Sequence, residues 1–211
     1  MKRLELFKPL YPFQITQGFG QNLVPIYKEW GLLGHSGIDV VCGYLNGKYY
    51  ETRGAEIRAA HDGEVTYSGM DSNEGYGVVI KTNEQFLDVN SQPQYWKLIY
   101  WHLNKNILVR VGQKVLVGDI IGYADSTGTI LSTTGPSGSG KPHLHFGLKP
   151  IAQGENEWTW DNVLQNNGYR GAVDSMPYMS TMSAYQLRGS LQLIAEQIKK
   201  LAELISLFIR R

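Results

Sequence analysis

The chain has 211 residues, of which 42% are hydrophobic and 18% charged, with a formal charge of +1 at neutral pH. That length suits one domain plus an appendage, and a charge so close to zero offers no whole-chain case for binding nucleic acid, in a composition too ordinary for disorder. With 24 glycines and 11% aromatics, the composition favours a turn-rich β protein over a helical bundle, and the hydrophobic content is enough for a real core.

In chain order, Met1-Lys2-Arg3 opens like a secretory signal, but Glu5, Lys8, Pro9 and Pro12 interrupt any apolar core behind it. No run is long enough to span a membrane. Residues 13–20 alternate like a strand. Cys42, the only cysteine, rules out an intramolecular disulfide and a cysteine-based zinc site; after Val40-Val41 it reads as a small buried apolar residue. Residues 42–56 read as a hairpin turning at Asn46-Gly47, whose tyrosines either line a groove or pack on the sheet. Residues 57–67 and 77–82 look like paired antiparallel strands. Residues 83–95 are polar and read as an enlarged hairpin tip. Residues 95–102 are aromatic and β-branched, as a strand should be, with His102 in phase with Tyr100 by period two unless it deviates at the strand end. Residues 109–122 alternate valines with Gly-Gln-Lys and Gly-Asp turns, which predicts a tight meander. Residues 125–141 are rich in Ser, Thr, Gly and Pro and read as a loop, either a groove wall or a surface insertion. Residues 151–183 read as a return segment and linker. From Ala184 apolar residues fall at 184, 187, 191, 194, 198, 201, 205 and 208, a heptad pattern over an amphipathic helix spanning 184–211. That helix suits packing on its own domain, self-association, or contact with a membrane surface through its basic end.

Four of the five histidines carry the chemistry. In Pro142-His143-Leu144-His145-Phe146-Gly147-Leu148 alternation predicts a strand, in which residues two apart share a face. His143 and His145 then project to one side, and Leu144, Phe146 and Leu148 into a core. On a helix the two imidazoles would point apart. In Gly34-His35-Ser36-Gly37-Ile38-Asp39, His35 and Asp39 would stand about 13 Å apart if fully extended, so the Ser36-Gly37 step must bend for one ion to reach both. His35, Asp39 and one of His143 and His145 match the three protein ligands of a catalytic zinc. His61, beside the Asp62-Gly63 turn, reads as a surface imidazole.

The order His-x-x-x-Asp, then Tyr100-x-His102-Leu103, then Pro142-His143-Leu144-His145-Phe146 resembles the LytM/lysostaphin-type zinc metallopeptidases of the M23 family. The stretches 59–65 with 75–80, and 111–115 with 118–122, are similar to the family's pattern as well, so the likeness covers roughly residues 15–150. It implies a mainly β fold, an antiparallel sheet peptidase domain over 1–150 with the 184–211 helix appended. It implies one zinc ion held by His35, Asp39 and His145. His102 and His143 then stand beside the metal as base and transition-state stabiliser, in an order the sequence leaves open. The implied reaction is endopeptidase cleavage of cell-wall peptidoglycan, at cross-links or stem peptides, often at glycine-containing bonds. The hairpin at 42–56 and the loop at 125–141 are both longer than the family's pattern.

Two other readings compete. A non-hydrolytic LytM-like module that binds the wall or activates an amidase would share the fold, although such modules lose ligands that this chain keeps. A lipoyl- or biotinyl-type carrier resembles the 111–119 stretch, but Lys114 lacks the expected neighbour and a carrier needs no such histidines. The lack of a visible leader fits a phage-type lytic enzyme reaching the wall through a partner or a virion.

Overall fold

The computed structural model describes residues 1–130, 141–151 and 167–209. In chain order the elements are β1 (Leu6–Lys8), β2 (Gln14–Gln17), α1 (Ile26–Glu29), β3 (Ile38–Val41), β4 (Gly43–Leu45), β5 (Lys48–Tyr50), β6 (Glu56–Arg58) and β7 (Gly63–Asp71). They continue with β8 (Gly75–Lys81), β9 (Phe86–Leu87), β10 (Pro93–Leu103), β11 (Lys114–Val115), β12 (Ile120–Tyr123), β13 (Leu144–Ile151), a 3-10 turn at Met176–Tyr178, β14 (Met179–Ser183) and α2 (Ala184–Ile209).

One sheet carries the molecule. Its order is β11-β7-β8-β10-β13-β3-β2, with β9 on the end of β10, and every pairing within it is antiparallel. The mainly β, antiparallel architecture is therefore as expected. Its centre is β10, whose aromatic and branched residues fill both faces. Trp96, Leu98 and Tyr100 enter the main core with Leu144, Phe146 and Leu148 of β13 and Ile38 and Val40 of β3. Each of these is at most 2% exposed, and full burial of such a side chain contributes roughly 1.5–3 kcal/mol. The Tyr100 hydroxyl accepts a hydrogen bond from the Ala60 amide at 2.9 Å, which satisfies the one polar atom it carries inward. On the opposite face lie Ile99 and Trp101, next to His145 and Gly147 of β13. Trp101 lies so close over Gly77 that a Cβ there would fall 1.9 Å from its ring.

Several local expectations need correction. Residues 57–67 do not form one strand: β6 pairs with β12, and β7 with β8. Between them the Ala59 and Ala60 backbones are bonded sideways, Ala59 N–H to Asp119 and Phe7 N–H to Ala60. Residues 109–122 are not a meander either. β11 joins β7 and β12 joins β6. The polar tip at 83–95 holds the short β9. The hairpin turning at Asn46-Gly47 forms as β4 and β5, yet Tyr44 and Tyr49 are exposed and pack edge to face on each other, 5.1 Å apart. Cys42 is buried, and burial raises its thiol pKa to about 11.

The stretch after β13 returns to the body. Val173 donates to the Leu148 carbonyl, β14 runs parallel to β1, and Tyr178 packs on Trp96. Of the long loop at 125–141, residues 131–140 lie outside the described residues, as do 152–166. No described helix is long and apolar enough to cross a membrane. The helix of 184–211 is present as α2, but its packing onto the domain stops after its first turns.

Candidate active site

The site forms where β3 and β13 lie side by side and β10 ends. His145 stands opposite Asp39 across the β3–β13 pair. His35 precedes β3 in a segment pinned from both sides: its N–H donates to Gln21, and its carbonyl accepts from Gly20. The expected bend is there, since His35 Nε2 lies 3.2 Å from Asp39 Oδ1 rather than a strand length away. Gly37 makes it possible: a Cβ on it would sit 2.7 Å from both His145 Nε2 and the Phe146 carbonyl oxygen.

His143 is not within the strand, which starts one residue later at Leu144. It is held by a single bridge to Asp125. It still faces the same centre, with Nε2 3.6 Å from Asp39 Oδ1. His102 departs from the expected phase. Tyr100 points into the core, while His102 turns to the other face because the β8–β10 register shifts there and its φ is +63°. A non-glycine residue in that region is uncommon and mildly strained. Its ring lies 4.7 Å from that of His143 and 6.1 Å from that of His145. His61 lies elsewhere, bonded to the Asp62 carbonyl and edge-on to Phe86.

The ligand atoms of His35, Asp39 and His145 lie within 4.8 Å of one another. Three separations describe them: 2.9 Å between His35 Nε2 and His145 Nδ1, 3.2 Å between His35 Nε2 and Asp39 Oδ1, and 3.3 Å between His145 Nδ1 and Asp39 Oδ1. Ligands about 2.0–2.1 Å from a tetrahedral zinc stand roughly 3.3–3.4 Å apart, so these spacings are those of a metal's coordination shell. Asp39 Oδ1 is buried without a hydrogen-bond partner, an expensive position for a carboxylate that a cation would relieve. Burial pushes the Asp39 pKa up, but His145, His35 and His143 around it hold it well below the usual carboxylate range. Burial lowers the pKa of His145, against the pull of Asp39. Two histidines and one carboxylate, converging on one point, fit a divalent metal.

The other two histidines are each oriented through Nδ1. His102 Nδ1 lies 2.8 Å from the Thr127 carbonyl oxygen and His143 Nδ1 2.9 Å from that of Lys141. A carbonyl only accepts, so each Nδ1 carries a proton. Burial, with His143 and His145 nearby, lowers the His102 pKa to about 3. Asp125 ties the pair together: its N–H donates to the His102 carbonyl and its own carbonyl accepts from the His143 N–H. Its carboxylate is held by Arg53, by Asn104 and by the Ser126 N–H.

All five residues line one cavity of about 330 Å³. Three of its walls escape a sequence reading. Tyr27 on α1 contributes a hydroxyl that accepts from Gln17 Nε2 at 2.9 Å, and burial and Asp39 raise its pKa to about 12. Tyr169 and Arg170 come from the returning chain, where Tyr169 packs on Phe19 and Gly168 accepts from the Leu33 N–H. Asp125 had one signal, being the lone acid at the head of a Ser/Thr/Gly stretch. The tyrosines of the 42–56 hairpin are not among the residues lining this cavity.

Comparison with known proteins agrees with this geometry. Residues 34–157, more than half of the chain, match Peptidase family M23. The DD-carboxypeptidase/endopeptidase Mpg of Neisseria meningitidis is 29% identical over 139 residues, 66% of this chain and 25% of that protein. The glycyl-glycine endopeptidase ALE-1 of Staphylococcus capitis is 29% identical over 186 residues, 80% of this chain and 42% of its own length. The chain thus spans a quarter to less than half of these relatives. Among solved structures, the catalytic domain of lysostaphin from Staphylococcus simulans superposes with a TM-score of 0.52 at 23% identity, covering 79% of this chain and 91% of that one. A zinc-containing peptidase from Vibrio cholerae gives 0.51 at 25% identity, covering 82% and 40%. With its His-Asp-His cluster, its antiparallel sheet and the matched span, the chain belongs to peptidase family M23.

Proposed function

We propose that the chain is a zinc-dependent endopeptidase that hydrolyses peptide bonds of bacterial peptidoglycan, in cross-links or stem peptides. The observation that carries this reading is the division of labour among four histidines. Two bring ring nitrogens to a point shared with Asp39, and two have Nδ1 committed to backbone carbonyls while lining the same cavity. Mpg, by its name a DD-carboxypeptidase/endopeptidase, and ALE-1, by its name a glycyl-glycine endopeptidase, support peptide-bond hydrolysis, and the zinc-containing Vibrio cholerae peptidase supports zinc.

His35 Nε2, Asp39 Oδ1 and His145 Nδ1 would hold the ion. When bound it supplies Lewis acidity, lowering the pKa of water and polarising the scissile carbonyl. The chain's own groups do the rest. A neutral imidazole Nε2, of His143 or His102, accepts the proton of the attacking water as its oxygen bonds to the carbonyl carbon. That proton is then delivered to the leaving amine as the C–N bond breaks. The Tyr27 hydroxyl, which keeps its proton to a pH of about 12, is a donor for the oxyanion, and the remaining imidazole is one in the state where its Nε2 carries a proton. Asp125 acts one step back by fixing the spacing of His102 and His143.

The test is mass spectrometry of muropeptides released from purified sacculi, with and without a zinc chelator. New amine termini that vanish with chelator and return with zinc are expected, and they identify the bond. Zinc-loaded protein that cleaves no peptidoglycan chemotype would replace this reading with that of a wall-binding or amidase-activating module.

A further inference from the structure

The helix α2 begins as part of the domain and then leaves it. Ser183 caps it in a reciprocal box with Gln186, whose N–H reaches Ser183 Oγ at 3.1 Å while its side-chain oxygen accepts the Ser183 N–H at 3.0 Å. The next turn is anchored. Tyr185 stacks on Tyr11, the Arg58 guanidinium lies 5.3 Å over the Tyr185 ring, and Arg188 reaches Asp119 at 3.5 Å. From Gly189 to Ser206 every residue is exposed. Leu191, Ile194, Ile198, Leu201 and Ile205 are 47–63% exposed. An isolated helix of this length is marginal in water, so its stability has to come from packing on something.

The spacing says what that is. The apolar seam advances by alternating steps of three and four, a strict seven-residue repeat from Ala184 onward. Against a straight helix such a seam drifts by roughly 20° per heptad. A flat membrane surface selects a period of 3.6 and a stripe that does not drift. A second helix winding around the first follows the drift. Charge points the same way. Between Gly189 and Ser206 the ionisable groups are Glu196, Lys199, Lys200 and Glu203, which balance, fall off the seam and pair at i, i+4. Two copies meet no repulsion there, and over that stretch an anionic surface finds no net attraction, the basic excess of this end of the sequence being Arg210 and Arg211 beyond it. Area suffices as well. Six seam residues on each of two helices, at some 60–120 Å² per buried side chain, remove on the order of 1,000 Å² from water, which is what a specific interface needs.

We infer that α2 is a self-association element, its seam of Leu187, Leu191, Ile194, Ile198, Leu201 and Ile205 covered by the same helix of a second copy. That role holds whether or not the proposed peptidoglycan activity does.

The experiment is light scattering on the full chain at tens of micromolar, beside the double variant Ile198→Glu/Leu201→Glu and the off-seam control Leu193→Glu. Expected is a mass of at least twice 23.7 kDa for the natural chain and the control, falling to one chain in the seam variant. Near-UV circular dichroism should be unchanged in all three, since no core residue is touched. A monomeric natural chain overturns the inference, and so does an oligomer that survives the seam variant. Co-sedimentation of a monomeric natural chain with anionic phosphatidylglycerol vesicles, abolished by the same variant, would assign the seam to a lipid surface instead.

Discussion

The strand β13 and the helix α2 are both written in alternating apolar residues, and they end in opposite environments. Leu144, Phe146 and Leu148 are fully buried against β10 and β3, while the seam residues of α2 beyond Leu187 stand about half exposed. A periodic apolar face announces that a partner exists and gives its geometry. It does not say whether the partner is in the same chain. For β13 the partners are the two strands beside it, and the polar face left over is free to carry His145 and Gly147 into a cavity. For α2 no described part of the chain covers the seam.

The sharpest ways to break this contrast lie on the polar face of β13. His145→Ala should abolish tight zinc binding and hydrolysis together. His102→Ala should keep the metal while kcat falls by ~10²–10⁴, the range of a lost general base; loss of zinc in that variant would contradict its place beside the ion. In the core, Phe146→Ala should cost about 3–5 kcal/mol in denaturant unfolding. Ile198→Ala, an equally apolar truncation on α2, should move the stability of a dilute, monomeric sample by no more than about 0.5 kcal/mol. Similar losses for the two would mean that α2 packs onto the domain after all. A separate effect is a pH dependence. His102 titrates near 6.5 when unfolded and about 3 when folded, so below pH 6.5 the unfolded chain takes up a proton that the folded chain refuses. Stability of metal-free protein should therefore be full above pH 6.5 and decline as pH falls toward 3. His102→Asn should flatten that decline in thermal melts, and an unchanged slope would place the titrating group elsewhere.

Much of the fold could be read from the chain because its signals are local. Alternation marks β10 and β13, Asn46-Gly47 marks a turn, and heptads mark α2. The convergence of five site residues was legible from the order of short motifs, each of which is weak alone. What stayed hidden depends on contacts distant in sequence. The phase of His102 is set by a register shift against β8 and a left-handed backbone, neither of which a period-two count contains. Tyr169 and Arg170 reach the cavity only because the chain folds back past Leu148 and onto Leu33. The pairings of β11 and β12 were misread because a strand of two residues carries no statement about its neighbour.

The central claim is that three of these residues hold a metal that the other two serve. It is tested most directly by measuring zinc per chain, by elemental analysis, in single alanine variants of His35, Asp39, His102, His143 and His145, alongside muropeptide release. One zinc per chain is expected in the natural protein and in the His102 and His143 variants, none in the other three, and impaired hydrolysis in all five. Zinc lost from the His102 variant, or hydrolysis surviving in the His145 variant, would contradict it.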